Sequence, residues 1–330
     1  MRGGHTRGGR AAASARAIVM HMSTSHGIVV EGLSRSFGEV HAVRQASFEA
    51  KPGQVTALIG PNGSGKTTLM LMLASLLAPD AGTIRVAGHD PLTDAAAVRK
   101  QIGWMPDILG SWATLSVRTT LEITGALYRL PKAQAAARAE ELIRLVGLGE
   151  LANQPTRVLS RGQKQRLSLA RALVHDPSVL LLDEPASGLD PVARIELRQL
   201  VRRFADEGKT VLVSSHVLAE LDEMSDTAVY LNHGITASAE SIQTARATSR
   251  AWRLKATDMT SLRAGLLKAG VLDTDITIDR SELLVTLSGE TEAAALLAKL
   301  VTSNVPISTF APAVGDLEHA FLDLSKGASA

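Results

Sequence analysis

Gly60-Pro61-Asn62-Gly63-Ser64-Gly65-Lys66-Thr67 carries the clearest chemistry in this chain. The octapeptide fits G-x-x-x-x-G-K-[ST] and lies between two apolar runs, Val55 to Ile59 and Leu69 to Leu73. Strand, glycine-rich turn and helix, in that order, is the context a phosphate-binding loop requires. Consecutive backbone N–H groups can point at phosphate oxygens only where side chains stay clear, which accounts for the glycines. The helix N-terminus adds positive potential. Lys66 is placed to reach the β- and γ-phosphates and Thr67 to ligate Mg²⁺, so Gly60 to Thr68 are the expected phosphate-binding residues.

A nucleotide site also needs a metal ligand and a group that orients water. Val179-Leu180-Leu181-Leu182 is uniformly apolar, as a buried parallel strand should be, and runs into Asp183-Glu184. Asp183 suits the Mg²⁺ shell, directly or through water. Glu184 is placed to polarise the attacking water as general base. The alternative for an Asp-Glu pair after a strand is a solvated turn. The apolar run before it, in a chain with a phosphate loop, argues against that.

The elements that must hold these residues follow from pattern and punctuation. Ile28 to Val30, Phe48, Val55 to Ile59, Thr83 to Gly88, Ile102 to Met105 and Thr210 to Ser214 read as strand. Ser34 to Gly38 and Pro79 to Gly82 read as turns, and Pro52-Gly53 as a hairpin-like break. Residues 116–150 read as helical, with Glu140 and Arg144 paired on one face. Helices also follow Ser160, Asp190-Pro191 and His216, the second with proline at its first position. Val229 to Leu231 and Ile235 suggest a hairpin at Asn232-His233-Gly234. Strands alternating with helices around a phosphate loop imply an α/β domain with a mainly parallel sheet over residues 27–236.

Residues 237–250 are polar and read as a linker. Beyond them, over 251–330, Ala251 to Ala256 and Ile276 to Leu287 read as strands, and Leu262 to Ala269, Thr291 to Thr302 and Leu317 to Leu324 as helices. This is a small α+β appendage without evident chemistry of its own.

Composition bounds the function classes. The chain has 330 residues, 45% hydrophobic and 21% charged, which is globular. Net charge is +2, so nothing calls for nucleic acid as a partner. There are no cysteines, which excludes disulfides, iron–sulfur clusters and thiol catalysis and suits a reducing compartment. No apolar run reaches the roughly 18 residues of a membrane helix, so work at a membrane needs spans from another chain. Residues 1–26 hold Arg2, Arg7, Arg10 and Arg16 with no acidic residue before Glu31. They read as a disordered tail; Met20 and Met22 leave a later start open, and a basic arm on anionic lipid is the alternative.

Leu159-Ser160-Arg161-Gly162-Gln163, taken with the loop and the Asp-Glu pair, resembles the signature of ABC transporter ATP-binding subunits. The resemblance runs from about Ile28 to Gly234. It implies a P-loop NTPase fold of the ABC type, with a helical subdomain over about 107–160. It also implies ATP and Mg²⁺ as cofactors and two ATP molecules held between two head-to-tail domains. Ser160, Gly162 and Gln163 would then face the γ-phosphate on the partner's loop; taken alone, the pentapeptide is an N-capped helix. Phe37 sits where the family stacks a ring on adenine, or is a half-buried core aromatic. Ser187-Gly188-Leu189-Asp190 resembles the loop that crosses the dimer interface, and Asp190 is equally a helix cap. His216 matches the histidine that bonds the γ-phosphate and orients the water of Glu184; a lone histidine after a strand is otherwise structural.

Asp107 stands where the family usually has glutamine. As a metal ligand it would be shorter and charged. With Arg161 it resembles the drug- and polysaccharide-export branch. Ile108, Leu109 and Trp112 fall where the family docks a cytoplasmic helix of its membrane subunit, while Trp104 reads as core. The implied function is an ATPase subunit on the cytoplasmic face of the membrane. It would power a separate permease, for export, and pair with a second ATPase subunit, most simply a second copy of this chain. The alternatives are an importer subunit, or a soluble ABC ATPase acting on ribosome or DNA. The chain lacks the second phosphate loop of the translation type and the coiled coils or zinc cysteines of the repair type.

Overall fold

The structure, a computed structural model, describes residues 27–108, 110, 112–237, 249–315, 317, 319 and 321. The basic tail over 1–26, most of the linker, Leu109 and the end of the last helix lie outside the described residues. Among the described residues the larger sheet has nine strands. They are β1 (Ile28–Phe37), β2 (Val40–Ala50), β3 (Val55–Ile59), β4 (Ala81–Val86), β5 (Ile102–Met105), β6 (Val179–Asp183), β7 (Thr210–Ser214), β8 (Thr227–Asn232) and β9 (Ile235–Thr236). The order is β4-β1-β2-β9-β8-β3-β7-β6-β5. Strands β5, β6, β7, β3 and β8 run parallel, while β1, β2 and β4 form an antiparallel flap.

The parallel strands are apolar throughout because both faces are covered. In β6, Leu180 and Leu182 enter one core and Val179 and Leu181 the other. Helix α1 (Lys66–Leu73) buries Leu69, Met70, Met72 and Leu73 in the second core. The first core is covered by α5 (Arg161–Ala172) and α6 (Pro191–Asp206). Helices α2 (Ala95–Gln101), α3 (Val117–Leu127), α4 (Lys132–Leu145) and α7 (Leu218–Met224) complete this unit.

Several expectations are corrected. Ser34 to Phe37 is strand, not turn: bulges let β1 pair with both β2 and β4, and the Asp80 carboxylate accepts from Arg35 and the Ser36 amide at 2.7 Å each. Ala81-Gly82 opens β4. Pro52-Gly53 is a turn between strands that do not pair, since β2 bonds β1 and β9 while β3 bonds β7 and β8. Residues 116–150 form two helices, because Pro131 bars Leu130 from helical geometry. Glu140 pairs with Arg118 of α3 rather than with Arg144.

The appendage is β10 (Arg250–Ala256), α8 (Met259–Ala269), β11 (Ile276–Asp279), β12 (Glu282–Leu287), α9 (Glu290–Thr302) and β13 (Ile307–Pro312). Its sheet is wholly antiparallel in the order β11-β12-β10-β13, the ferredoxin-like split βαβ arrangement. Ile276 to Leu287, read as one strand, is a hairpin turning at Arg280 (φ 55). After β13 the chain returns to the larger unit. Leu317 is buried there, its N–H donating to Asp222 Oδ1 at 2.9 Å. Among the described residues no helix is long and apolar enough to cross a membrane.

Candidate functional site

The phosphate loop joins β3 to α1. Gly65 has φ 104, and a Cβ there would stand 2.2 Å from the Ala42 carbonyl oxygen, so only glycine fits. At Gly60 a Cβ would meet the Leu231 carbonyl oxygen at 2.2 Å. The β8–β9 turn braces the loop from that side: His233 (φ 47) and Gly234 (φ 77) have the signs of a type I′ turn, and Gly234 N–H donates to the Ser64 carbonyl at 3.1 Å. Lys66 folds over the loop, its ammonium donating to the carbonyls of Gly60 at 2.7 Å and Pro61 at 3.1 Å. Burial pushes its pKa below the usual lysine value, against the opposing pull of Glu184 and Asp183.

Register brings the acidic pair to this loop. Asp183 ends β6 beside Ser214 at the end of β7. Its carboxylate is 2% exposed and both oxygens accept hydroxyls: Oδ1 from Ser214 at 2.6 Å and Oδ2 from Thr67 at 3.0 Å. Ser214 Oγ also accepts the Glu184 amide at 3.1 Å. Glu184 has φ 51, uncommon outside glycine, and its Oε2 lies 2.7 Å from Nδ1 of His216. Thus Lys66, Thr67, Asp183, Glu184 and His216 converge at the C-terminal ends of parallel strands, where open α/β sheets place ligands.

The remaining sequence candidates occupy distinct places. Ser160 caps α5 in a capping box, its Oγ accepting the Gln163 amide at 3.2 Å and Gln163 Oε1 accepting the Ser160 amide at 2.9 Å. Gly162 packs against Leu189, where a Cβ would come within 3.3 Å. Asp190 caps α6 through the Ala193 amide at 2.9 Å, which holds its carboxyl below the usual aspartate pKa. Phe37 ends β1 with its ring 49% exposed and the Arg35 guanidinium 4.9 Å from its centroid. Among the described residues no hydrogen bond joins Asp107 to Thr67 or Asp183; it lines a shallow surface cavity with Ile108, Arg161 and Lys164. Trp104 is half-buried against the second core, and Trp112 is exposed beneath the guanidinium of Arg171.

Ser214, Gln165 and Arg35 touch the site without having been singled out. Ser214 reads as the last residue of a buried strand, and only the β6–β7 register reveals its role.

The donor set fits a magnesium nucleotide. Among the described residues no cluster of three or more His, Asp or Glu could hold a metal by itself. A hydroxyl and one carboxylate beside a phosphate cradle is the sparse oxygen set with which Mg²⁺ relies on substrate phosphates.

The sequence model of the family described as "ABC transporter" matches residues 43–187. The chain is 40% identical over 199 residues to a daunorubicin resistance ATP-binding protein of Streptomyces coeruleorubidus, covering 60% of this chain and 63% of that relative. The chain therefore spans less than two thirds of that protein. It is 31% identical over 316 residues to a daunorubicin/doxorubicin resistance ATP-binding protein of Streptomyces peucetius, covering 93% of this chain and 94% of the other. A solved ATP-binding subunit of an ABC transporter superposes with a TM-score of 0.60 at 26% identity, over 66% of this chain and 92% of that one.

Proposed function

The chain belongs to the ABC transporter ATP-binding family, and from that premise we propose that it hydrolyses ATP to drive export through a separate membrane-spanning permease. The observation that carries the reading is the 2.7 Å contact of His216 with Glu184, next to a carboxylate that already bonds Thr67. A water held by Glu184 attacks the γ-phosphorus, the bond to the β–γ bridging oxygen breaks, and the water proton passes to the Glu184 carboxylate. His216 holds that carboxylate toward the phosphate. Lys66 compensates charge on the β- and γ-phosphates, and Phe37 stacks on the base. Bound at Thr67 and Asp183, with Asp107 as a further candidate ligand, Mg²⁺ would neutralise phosphate charge.

Ser160, exposed at the start of α5, and the loop 187–190 supply the face for a second ATPase subunit, which would complete each nucleotide site from the partner's Ser160, Gly162 and Gln163. The exposed side chains of Ile108 and Trp112 offer the surface for the permease at the cytoplasmic face of a membrane. Export is favoured because the likeness to a drug-resistance protein extends through the appendage.

Purified protein tests the reading. Mg-ATP hydrolysis by the wild type, lost in Glu184→Gln with ATP binding retained, is the expected result. The Glu184→Gln protein, trapped with ATP in solubilised membranes, should retain a multi-span membrane protein at stoichiometric yield. Ribosomes or DNA-repair proteins in its place would overturn the transport reading.

A further inference from the structure

Gln165 lies one turn into α5 and is 2% exposed. Its Nε2 donates to the main-chain carbonyl of Glu184 at 2.9 Å, a bond that spans from a helix to the turn after β6. The same carbonyl accepts the Ser187 amide at 3.1 Å. Glu184 holds φ 51, a conformation that a non-glycine residue keeps only when its surroundings hold it there. Three bonds do so: Ser214 takes its N–H, and Gln165 and Ser187 bond its C=O. Ser214 belongs to the sheet and Ser187 to the turn itself. Gln165 alone among these three comes from the helix capped by Ser160.

Neighbouring contacts make α5 and the turn one block. Arg161 Nη2 donates to Ser187 Oγ at 2.8 Å, and Gly162 packs against Leu189. The Gln165 amide is too buried to exchange its partner for water, so a shift of α5 relative to β6 must either move the Glu184 carbonyl or break the bond. The carboxylate of Glu184 hangs from the same residue, opposite His216.

We propose that Gln165 is a positioning residue for Glu184: it fixes the left-handed backbone that aims the carboxylate, and it transmits the placement of the Ser160 helix to the water-activating group of the same chain. This rests on the reading of Glu184 as general base. The consequence is that engagement of Ser160 by nucleotide on a partner would be felt at this chain's own Glu184 through a single buried amide.

Wild type, Gln165→Met and Gln165→Glu test this through Mg-ATP hydrolysis and through equilibrium binding of a fluorescent ATP analogue. Methionine keeps the length and bulk of the side chain but cannot donate. Its kcat is expected to fall about tenfold or more while KM and ATP affinity stay within about twofold. Glutamate donates to the carbonyl only when protonated. Its kcat relative to wild type is expected to rise about fivefold or more on going from about pH 8 to about pH 6, with the Gln165→Met ratio flat. The charged groups around position 165 are Glu184, whose carbonyl it bonds and whose carboxylate faces His216, and Arg144, Arg166, Glu196 and Arg203 along the cavity it lines; wild type and Gln165→Met carry them all, so those two profiles together are the reference for Gln165→Glu.

A Gln165→Met enzyme with wild-type kcat, or with kcat and ATP affinity lost together, overturns the assignment. A flat ratio for Gln165→Glu does the same, and decides alone if Gln165→Met does not fold. Wild type without ATP hydrolysis would instead defeat the hydrolase reading. Hydrogen exchange over residues 184–189 then judges Gln165: faster exchange in Gln165→Met supports its hold on the turn, and unchanged exchange removes it.

Discussion

The hydroxyl of Ser214 donates to Oδ1 of Asp183 at 2.6 Å. Ser214 Oγ also accepts the amide of Glu184 at 3.1 Å, so one buried hydroxyl orients both acidic residues from the neighbouring strand. Ser214→Ala leaves the strand intact and removes both bonds. Partners of this kind cost about 10- to 100-fold in metal affinity or activity when lost. The expected result is a weaker apparent Mg²⁺ affinity and lower turnover in a Mg²⁺ titration of ATP hydrolysis, with the unfolding midpoint little changed. A titration that overlays wild type would show that Thr67 and the backbone suffice to hold Asp183.

His216 contributes differently. Its side chain is 60% exposed against 16% for that of Glu184, so the imidazole can be removed without opening a cavity. His216→Ala is expected to lower kcat by about 10²- to 10³-fold, with thermal stability within about 0.5 kcal/mol of wild type. Parallel measurement of turnover and melting separates the two effects. A large loss of stability would make His216 a structural residue.

One face of the exposed Phe37 ring is left open by its neighbour. Arg35 covers one ring face and is itself anchored on Asp80, which leaves the other face for stacking. Phe37→Ala should weaken ATP binding by about 1–3 kcal/mol, the usual worth of a stacked base, while kcat at saturation is retained. Phe37→Trp should bind ATP as wild type does. Equal affinity of the alanine variant for ATP and for bare triphosphate would confirm that the base contact has gone; unchanged ATP affinity would remove the stacking role.

That Lys66, Thr67 and Asp183 would meet could be read from the chain because the pattern lies in contiguous residues: a loop with forced glycines, and an apolar strand that ends in a carboxylate. β3, β6 and β7 were legible for the same reason. Ser214, Gln165 and Arg35 were not, since each acquires its role from residues that lie far away in the chain. Elements with weak internal pattern were lost as well. Helix α2 buries only Val98, and β2 alternates poorly because its flap pairs with bulges. The hairpin at Arg280 lacks the glycine or asparagine that marks such turns.

His175 predicts an acid-sensitive fold. It stacks on Tyr128 with ring centroids 3.6 Å apart, and Nε2 bonds the Ile102 carbonyl at 3.0 Å. Burial lowers its pKa to about 4, because the protonated ring is poorly solvated. In the unfolded chain it titrates near 6.5. Unfolded protein thus binds more protons between those values, and stability falls as pH drops from about 6.5 toward about 4. Allowing for partial exposure, the loss is roughly 1–2 kcal/mol. His175→Phe should flatten that part of the urea-midpoint profile against pH; an unaltered slope would assign the acid sensitivity to other groups.

Leu317 ties the end of the appendage to the larger unit, and its burial is specific. It is 5% exposed among Leu221, Met224 and Tyr230, with its N–H on Asp222 and its carbonyl accepting the Tyr230 hydroxyl at 3.4 Å. Leu221, Asp222 and Met224 belong to α7, a seven-residue helix too short to hold itself, which begins two residues after His216. Leu317→Ala removes apolar packing from that helix and should cost about 2–4 kcal/mol of stability. Because the contact lies in the larger unit's core, the loss should appear as faster hydrogen exchange in α7 and β8, with the β10–β13 sheet unaffected. Exchange confined to the appendage would mean that Leu317 only tethers it.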